Sequence, residues 1–547
     1  MNRLFLLACC TIATMAVPLF AINHLDIMHI LQGEFNGSEM GMGLASLDFN
    51  GDGIKDLIVQ QANNPRPEHQ GLYEYDRIMV MYGGDNFDVV PDLTIFGNPY
   101  EGHTSRSILR AGDVNGDGFD DLVTEVMTWT VYPGFRRICV YFGGENPSTT
   151  PGYQYEYPAY DLDNIPGVES ATPFALGDIN GDGCSDIGVV CDWGGVNRET
   201  IDIIYGGSYN ITTIYDTYTD YHSIPVINGV GDVNSDGYAD FAIGHSNFND
   251  IYNNSVILFY GCPDIAQCDS LVLVDQSTTE WTMKPMAAGD VNGDGFNDFL
   301  GRDVLIDTYG YGFFWYGGTS ITNQHDVMLS PDYFGSTWAD YRLIHGDLNN
   351  DGYEDLIGSK HANYGDDGVV AIWLGRQNFN GEVDLYLRSP DSIPRFARFG
   401  YAMACGDFNN DGIDDLAVGA PQSPPGLSDI PGAVVVYSGN TLLADTTVAN
   451  EDELAPQLND ALKFSSYPNP LPVGKAVSLR YQGKGYDQLN TKTISLYNLK
   501  GQRVFQAQDS SRGDTSSIQL PELPSGVYII KVSAAGQHHS SKRIVVY

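Results

Sequence analysis

An all-β fold, a seven-bladed β-propeller followed by a small C-terminal β-sandwich, is predicted by three features of this 547-residue sequence. A nine-residue acidic motif begins at Asp48, Asp113, Asp178, Asp232, Asp290, Asp347 and Asp407, at intervals of 65, 65, 54, 58, 57 and 60 residues. The motifs lead into β-like runs such as "DLIVQ" at 56–60 and "DLAVGA" at 415–420, and a second apolar run ending in glycine comes later, as in "IMVMYGG" at 78–84 or "VVVYSG" at 434–439. Between motifs, no stretch of ten or more residues has helical periodicity.

A period near 60 accommodates four short strands with their loops, and seven such sheets set radially solve the problem of exposed sheet edges. The segment "HLDIMHILQG" at 24–33 precedes the first motif and reads as a lone strand. It is expected to pair with the last blade and close the ring.

Composition agrees with short strands and tight turns: 42% hydrophobic, 12% aromatic, 18% charged and 62 glycines. The net charge of −42, from 70 acidic and 28 basic residues, disfavours nucleic acid and anionic membrane surfaces as partners. Residues 1–21, "MNRLFLLACCTIATMAVPLFA", read as a signal peptide with cleavage after Ala21. No later segment is long and apolar enough to span a bilayer as a helix. Of the six cysteines beyond it, Cys262 and Cys268 could close a short loop in an oxidising compartment, as could Cys184 and Cys191, with buried free thiols the alternative.

The acidic motif has the donor pattern of a Ca²⁺ loop. Side-chain oxygens at positions one, three, five and nine, with the carbonyl of position seven, supply hard ligands, and glycine at position six permits the turn. The expected ligands of the first loop are Asp48, Asn50, Asp52, Ile54 through its carbonyl, and Asp56; of the second, Asp113, Asn115, Asp117, Phe119 and Asp121. The third offers Asp178, Asn180, Asp182, Cys184 and Asp186, and the fourth Asp232, Asn234, Asp236, Tyr238 and Asp240. The fifth offers Asp290, Asn292, Asp294, Phe296 and Asp298, the sixth Asp347, Asn349, Asp351, Tyr353 and Asp355, and the seventh Asp407, Asn409, Asp411, Ile413 and Asp415. The cofactor expected is therefore structural Ca²⁺, up to seven ions. Without it, three carboxylates per loop would repel one another. An EF-hand is excluded because its twelfth position requires Glu, where Val59, Thr124 and Val189 stand here inside strands. Dockerin modules share "GDVNGDG" but use two copies, each leading into a helix.

The stretch "RFGYAMACGDFNNDGIDDLAVGAP" at 398–421, followed by "GAVVVYSG" at 432–439, resembles an FG-GAP repeat of the integrin α-subunit propeller. Residues 333–358, "YFGSTWADYRLIHGDLNNDGYEDLIG", are similar, whereas other copies keep the acidic loop but lose the FG and GAP ends. The resemblance implies seven blades, with calcium loops on one face and longer loops on the other. The propeller is expected over 22–445 and a linker over 446–462.

Residues 463–547 carry "YPNP" at 467–470, "ISLYNLKGQRVF" at 494–505, "LPSGVYIIKV" at 523–532 and "KRIVVY" at 542–547. In that order they resemble the type A C-terminal sorting domain of the type IX secretion system. The resemblance implies export across both membranes of a Gram-negative bacterium, a secreted or cell-surface location, and the type IX machinery as a partner. "RGD" at 512–514 lies within this domain and is discounted as an adhesion signal.

No GxSxG elbow, HExxH helix, P-loop or dinucleotide fingerprint is present. "SPDYFGSTW" at 330–338 is near a sialidase Asp-box but has one residue too many. The expectation is a non-enzymatic binding or adhesion module for an extracellular protein or glycan; the alternative is a glycan-active extracellular hydrolase. Candidate ligand-face residues, on loops opposite the acidic motifs, are Trp129, Tyr132, Arg136, Arg137, Trp193 and Arg198, because aromatics and Arg favour recognition.

Overall fold

The computed structural model describes residues 24–33, 38–61, 76–97, 103–127, 135–158, 167–194, 198–218, 225–245, 255–273, 283–303, 312–329, 342–360, 368–390, 393, 398–421 and 431–443. Beyond these it describes 463–467, 476–482, 492–498, 503–509, 515–521, 523–524, 526–534 and 537–546. The chain divides into two compact units, Met1–Asp445 and Thr446–Tyr547.

The first unit is a seven-bladed propeller of four-stranded antiparallel sheets. Blade 1 runs through Met40–Leu47, Asp56–Gln61, Arg77–Met81 and Leu93–Phe96. The next five blades repeat this meander, opening with His103–Gly112, Gly167–Gly177, Val226–Gly231, Met283–Gly289 and Arg342–Gly346. These opening strands touch one another in succession, and Met403–Gly406 of blade 7 returns to Met40–Leu47. The opening strands therefore line the axis.

Blade 7 takes its fourth strand from the N-terminal end of the propeller. Asp26–Gln32 pairs antiparallel with Ala433–Ser438, from Asp26 opposite Ser438 to Gln32 opposite Ala433, with one register shift between Ile27 and His29. This is the closure expected from the lone strand ahead of the first motif.

The second strand of each blade is apolar without alternation because both of its faces are covered. In Asp56–Gln61 every residue is buried. Leu57 belongs to the core shared with blade 7, and Ile58 to the core shared with blade 2. Seven such cores lie between neighbouring blades, one per seam. Large aromatics fill the wedge where it widens, including the parallel Phe299 and Trp315 rings 5.6 Å apart in the seam of blades 4 and 5.

The second unit contains a three-stranded sheet (Lys463–Tyr467, Ala476–Gln482, Thr515–Gln519) and a four-stranded sheet (Arg503–Asp509, Lys492–Asn498, Gly526–Ala534, Gln537–Val546). Leu479 and Ile518 of the first sheet share a core with Ile494, Leu496 and Ile530 of the second. This is the small β-sandwich read from the alternating apolar pattern.

Among the described residues the one helical element is a 3-10 turn at Ile265–Gln267. Cys262 and Cys268 are disulfide-bonded, whereas Cys139, Cys184, Cys191 and Cys405 are free thiols.

Candidate functional site

Each acidic motif forms the hairpin between the first and second strands of its blade. In blade 1, Asp48 Oδ1 accepts the amides of Gly51 (2.8 Å) and Asp52 (3.1 Å), and its Oδ2 accepts that of Gly53 (2.9 Å). Asp52 Oδ1 accepts from the Ile54 amide (2.9 Å), and the Asn50 Nδ2 donates to Asp52 Oδ2 (3.0 Å). The bond from the sixth-position amide to the first carboxylate recurs in all seven loops, so the Asp that begins each motif nucleates the turn it opens. The sixth position is glycine for backbone reasons alone. Its φ lies between 85° and 94° in every loop, with open space where a Cβ would stand.

The ninth-position carboxylate fastens the loop to the blade. Asp56, Asp121, Asp186, Asp240, Asp298, Asp355 and Asp415 are all fully buried. One oxygen of Asp121 accepts the Val114 amide (2.8 Å) inside the loop, and the other accepts the Gly143 amide (2.9 Å) from the outer turn of the blade. The equivalent outer-turn donors are Gly83, Gly206, Gly261, Gly317, Gly375 and Gly439.

These are the first glycines after the third strand of each blade, in "YGG" at 82–84, 205–207 and 316–318 and in variants of it elsewhere, a signal whose role the sequence alone leaves unexplained. A Cβ on any of them would stand 2.2–2.5 Å from the carbonyl oxygen of the eighth loop position. The following residue crosses the seam: the Gly144 amide donates to the carbonyl of Phe49 (2.9 Å), and Gly84 to that of Phe408 (2.9 Å). Gly207, Cys262, Gly318, Arg376 and Asn440 do the same in their blades. The acidic hairpins are therefore also the hydrogen-bonded clasp between successive blades. At the seam of blades 1 and 2, Asp120 adds ion pairs to Lys55 (3.1 Å) and Arg110 (3.0 Å).

The electrostatics of the loops are unbalanced. Burial, opposed only in part by the amides, pushes Asp56, Asp121, Asp186, Asp240, Asp298 and Asp415 up to about 7, and Asp355 well above the usual carboxylate range. The neighbouring loop carboxylates push in the same direction. Among the described residues, no Lys or Arg forms an ion pair with the first, fifth or ninth position of any loop. Burial also raises Asp351, and Arg376 offsets that only in part.

Among the described residues, no three His, Cys, Asp or Glu side chains are gathered into a metal-holding cluster. The donor chemistry nevertheless fits a hard cation. The candidate side-chain donors at positions one, three, five and nine are oxygens from Asp and Asn, and the buried ninth carboxylate meets amides without a counter-charge.

The residues proposed from sequence for the opposite face divide differently. Trp129 and Tyr132 lie outside the described residues. Arg136 is on a strand, not an exposed loop, and is buried, with its guanidinium on the carbonyl of Glu169 and 3.9 Å from Glu125. Arg137 lies over the Phe135 ring (4.2 Å) and pairs with Glu156 (2.8 Å). Trp193 and Arg198 face each other across one hairpin, guanidinium over indole at 4.9 Å, and are half-buried. Strand pairing explains the difference: the strands here extend further into the stretches that the polar sequence marks as loop.

Comparison with known proteins accords with this geometry. Residues 399–437 match the FG-GAP repeat, residues 48–124 an FG-GAP-like repeat, and residues 465–547 the secretion system C-terminal sorting domain. Integrin alpha-PS3 of Drosophila melanogaster is 38% identical over 128 residues, covering 22% of this chain and 10% of that protein. Integrin alpha-8 of Homo sapiens is 29% identical over 176 residues, covering 28% and 15%. Phosphatidylinositol-glycan-specific phospholipase D of Mus musculus is 37% identical over 119 residues, covering 20% and 14%. The chain thus spans between about a tenth and a sixth of the length of these relatives. No helix among the described residues is long and apolar enough to cross a membrane. With seven blades, FG-GAP repeats and a type IX sorting domain, the chain is an integrin-α-like FG-GAP propeller built for export, a secreted or cell-surface protein.

Proposed function

We propose that this protein is a binding or adhesion module whose propeller is stabilised by Ca²⁺ in the seven acidic loops, and that it is not an enzyme. The observation that carries the reading is the buried ninth-position carboxylate, present in every loop and paired with no Lys or Arg among the described residues. Residues at positions one, three, five and nine, with the seventh carbonyl, would hold the ion. When bound, the ion supplies the positive charge that the loop carboxylates lack. The chain's own part is to fix those oxygens: the first Asp winds the hairpin, and the ninth ties it to the outer turn and so to the next blade.

Extracellular modules hold Ca²⁺ with Kd of roughly 10⁻⁴–10⁻³ M, so at millimolar calcium each loop contributes on the order of 1 kcal/mol. Seven together approach the ~5–15 kcal/mol net stability of a domain. The non-enzymatic reading is supported by the integrin alpha relatives, and by the assignment of 21 aspartates, three in each of seven loops, to scaffolding. Likeness to a phospholipase D extends over 14% of that enzyme and does not carry its activity here. The linker over 446–462 and the propeller boundaries at 22 and 445 belong to the same proposal.

Two experiments test it. Chelation should lower the melting temperature, and elemental analysis of protein equilibrated by dialysis against millimolar Ca²⁺ should return several ions per chain above the buffer; an unchanged melt with no metal above the buffer refutes structural calcium. An array of extracellular proteins and glycans should return a ligand, whereas turnover of a glycan by the purified propeller would establish the hydrolase alternative.

A further inference from the structure

The outer turn of blade 4 is built unlike the others. Between Ser255–Phe259 and Ser270–Leu273, it is closed by the Cys262–Cys268 disulfide, the sole disulfide among the described residues. Inside the closed loop Asp264 caps the 3-10 turn, accepting the Ala266 amide (3.2 Å) and the Gln267 Nε2 (2.6 Å). The Cys262 amide also reaches the carbonyl of Ile179 in blade 3 (2.9 Å). The turn is thus fixed by a covalent bond, a cap and an inter-blade hydrogen bond.

This turn, the acidic hairpin of blade 4 and residues Gly318–Ile321 of blade 5 line an open cleft of about 580 Å³. A cleft beside Asp351 and Arg376 of blade 6 measures about 280 Å³. Small-ligand sites commonly occupy roughly 300–1,000 Å³.

The lining of the blade 4 cleft has a definite chemistry. Tyr238 and Tyr260 supply aromatic surface, and Gln267, Asp269, Thr319 and Ser320 supply amide, carboxylate and hydroxyl groups. Tyr238 is seated over Gly181 of the preceding loop, where a Cβ would meet the ring at 2.5 Å. Tyr260 is half-buried, and its backbone amide donates to the Asp269 carbonyl (3.0 Å). An aromatic face covers the C–H face of a sugar ring, while amide and carboxylate groups exchange hydrogen bonds with its hydroxyls. The carboxylate of Asp269 on the lining, which belongs to no acidic loop, disfavours sulfated or uronic sugars.

We propose that this cleft binds a neutral hexose unit of an extracellular glycan. The inference rests on the binding-module reading and locates a ligand at the acidic-loop end of the propeller.

The intact, calcium-loaded protein is titrated with methyl glycosides and short oligomers of neutral hexoses, followed by saturation-transfer NMR and calorimetry. Tyr260→Ala and Gln267→Ala should each weaken binding about tenfold or more, the size expected on losing a central contact. Gln267 is exposed, and the Cys262–Cys268 bond with the Asp264–Ala266 cap holds the turn without its side chain, so its variant should keep the wild-type melting temperature, which separates loss of a contact from loss of fold. Val90→Ser, exposed on the outer turn of blade 1, should bind as wild type. Binding undiminished in both cleft variants, or binding of an alkylamine with none of neutral hexose, overturns the inference. A protein ligand on the array with no hexose binding overturns the cleft and leaves the module standing; no ligand in either experiment removes both.

Discussion

Replacing Gly143 by Ala tests whether the acidic hairpin and the outer turn act as one clasp. The added Cβ would lie 2.3 Å from the Asp120 carbonyl and 3.0 Å from that of Phe49, both backbone atoms that cannot swing aside. The turn must retreat, and two hydrogen bonds stretch with it. One is the Gly143 amide to the buried Asp121 carboxylate, worth roughly 1.5–3 kcal/mol as a bond to a charged group, and the other is Gly144 to Phe49 across the seam, worth roughly 0.5–1.5 kcal/mol. The expected loss is therefore about 2–4 kcal/mol. Gly144→Ala is the control: it has open space for a Cβ and only its φ of 144° opposes substitution, a cost of about 1 kcal/mol. The repeats already run part of this comparison, since Cys262, Arg376 and Asn440 fill the second place in three blades while the first is glycine in all seven. Urea denaturation of both variants in saturating calcium measures the difference. Equal destabilisation, or Gly143→Ala behaving as wild type, would refute the clasp.

Other perturbations have equally definite outcomes. In chelator, six of the ninth-position carboxylates have folded-state values raised to about 7 from an ordinary 3.8, so the folded protein binds more protons between those limits and its stability should fall as pH rises from about 4 to 7. The stabilisation by added calcium should grow over the same interval; a metal-free melting temperature that climbs with pH there contradicts the assignment. Ser235 occupies the fourth loop position at φ 61°, where four loops have glycine, so Ser235→Gly should stabilise by about 0.5–1 kcal/mol in the same denaturation assay. Removing residues 24–33 takes away the strand that pairs with Ala433–Ser438, and small-angle scattering should report an expanded particle or a dimer exchanging strands.

The blade count, the strand pairs and the closing strand were legible because they depend on periodicity and on short-range hydrogen bonding. The acidic loops were legible as a donor pattern, since positions one to nine are neighbours along the chain. What lay out of reach depends on contacts between distant segments. The first glycine of "FGG" at 142–144 is explained only by an acidic loop about 22 residues away in the same blade, brought close by strand pairing. Spacing alone made Cys184–Cys191 as good a pair as Cys262–Cys268. The fold separates the first two, leaving Cys184 in a hairpin and Cys191 in the core between blades 2 and 3. Arg136 has the composition of a surface loop around it, yet its strand begins at Phe135 and aims the guanidinium into the seam toward Glu125 and Glu169.

The borrowed strand of blade 7 ties an early segment of the polypeptide to one of the last made in the propeller. A nascent chain must keep residues 26–32 uncommitted until residues 433–438 emerge, and the export label at 465–547 follows only afterwards. A prematurely terminated product therefore lacks its closing partner and its address together, so that a chain able to reach the exterior is also one able to complete its circle.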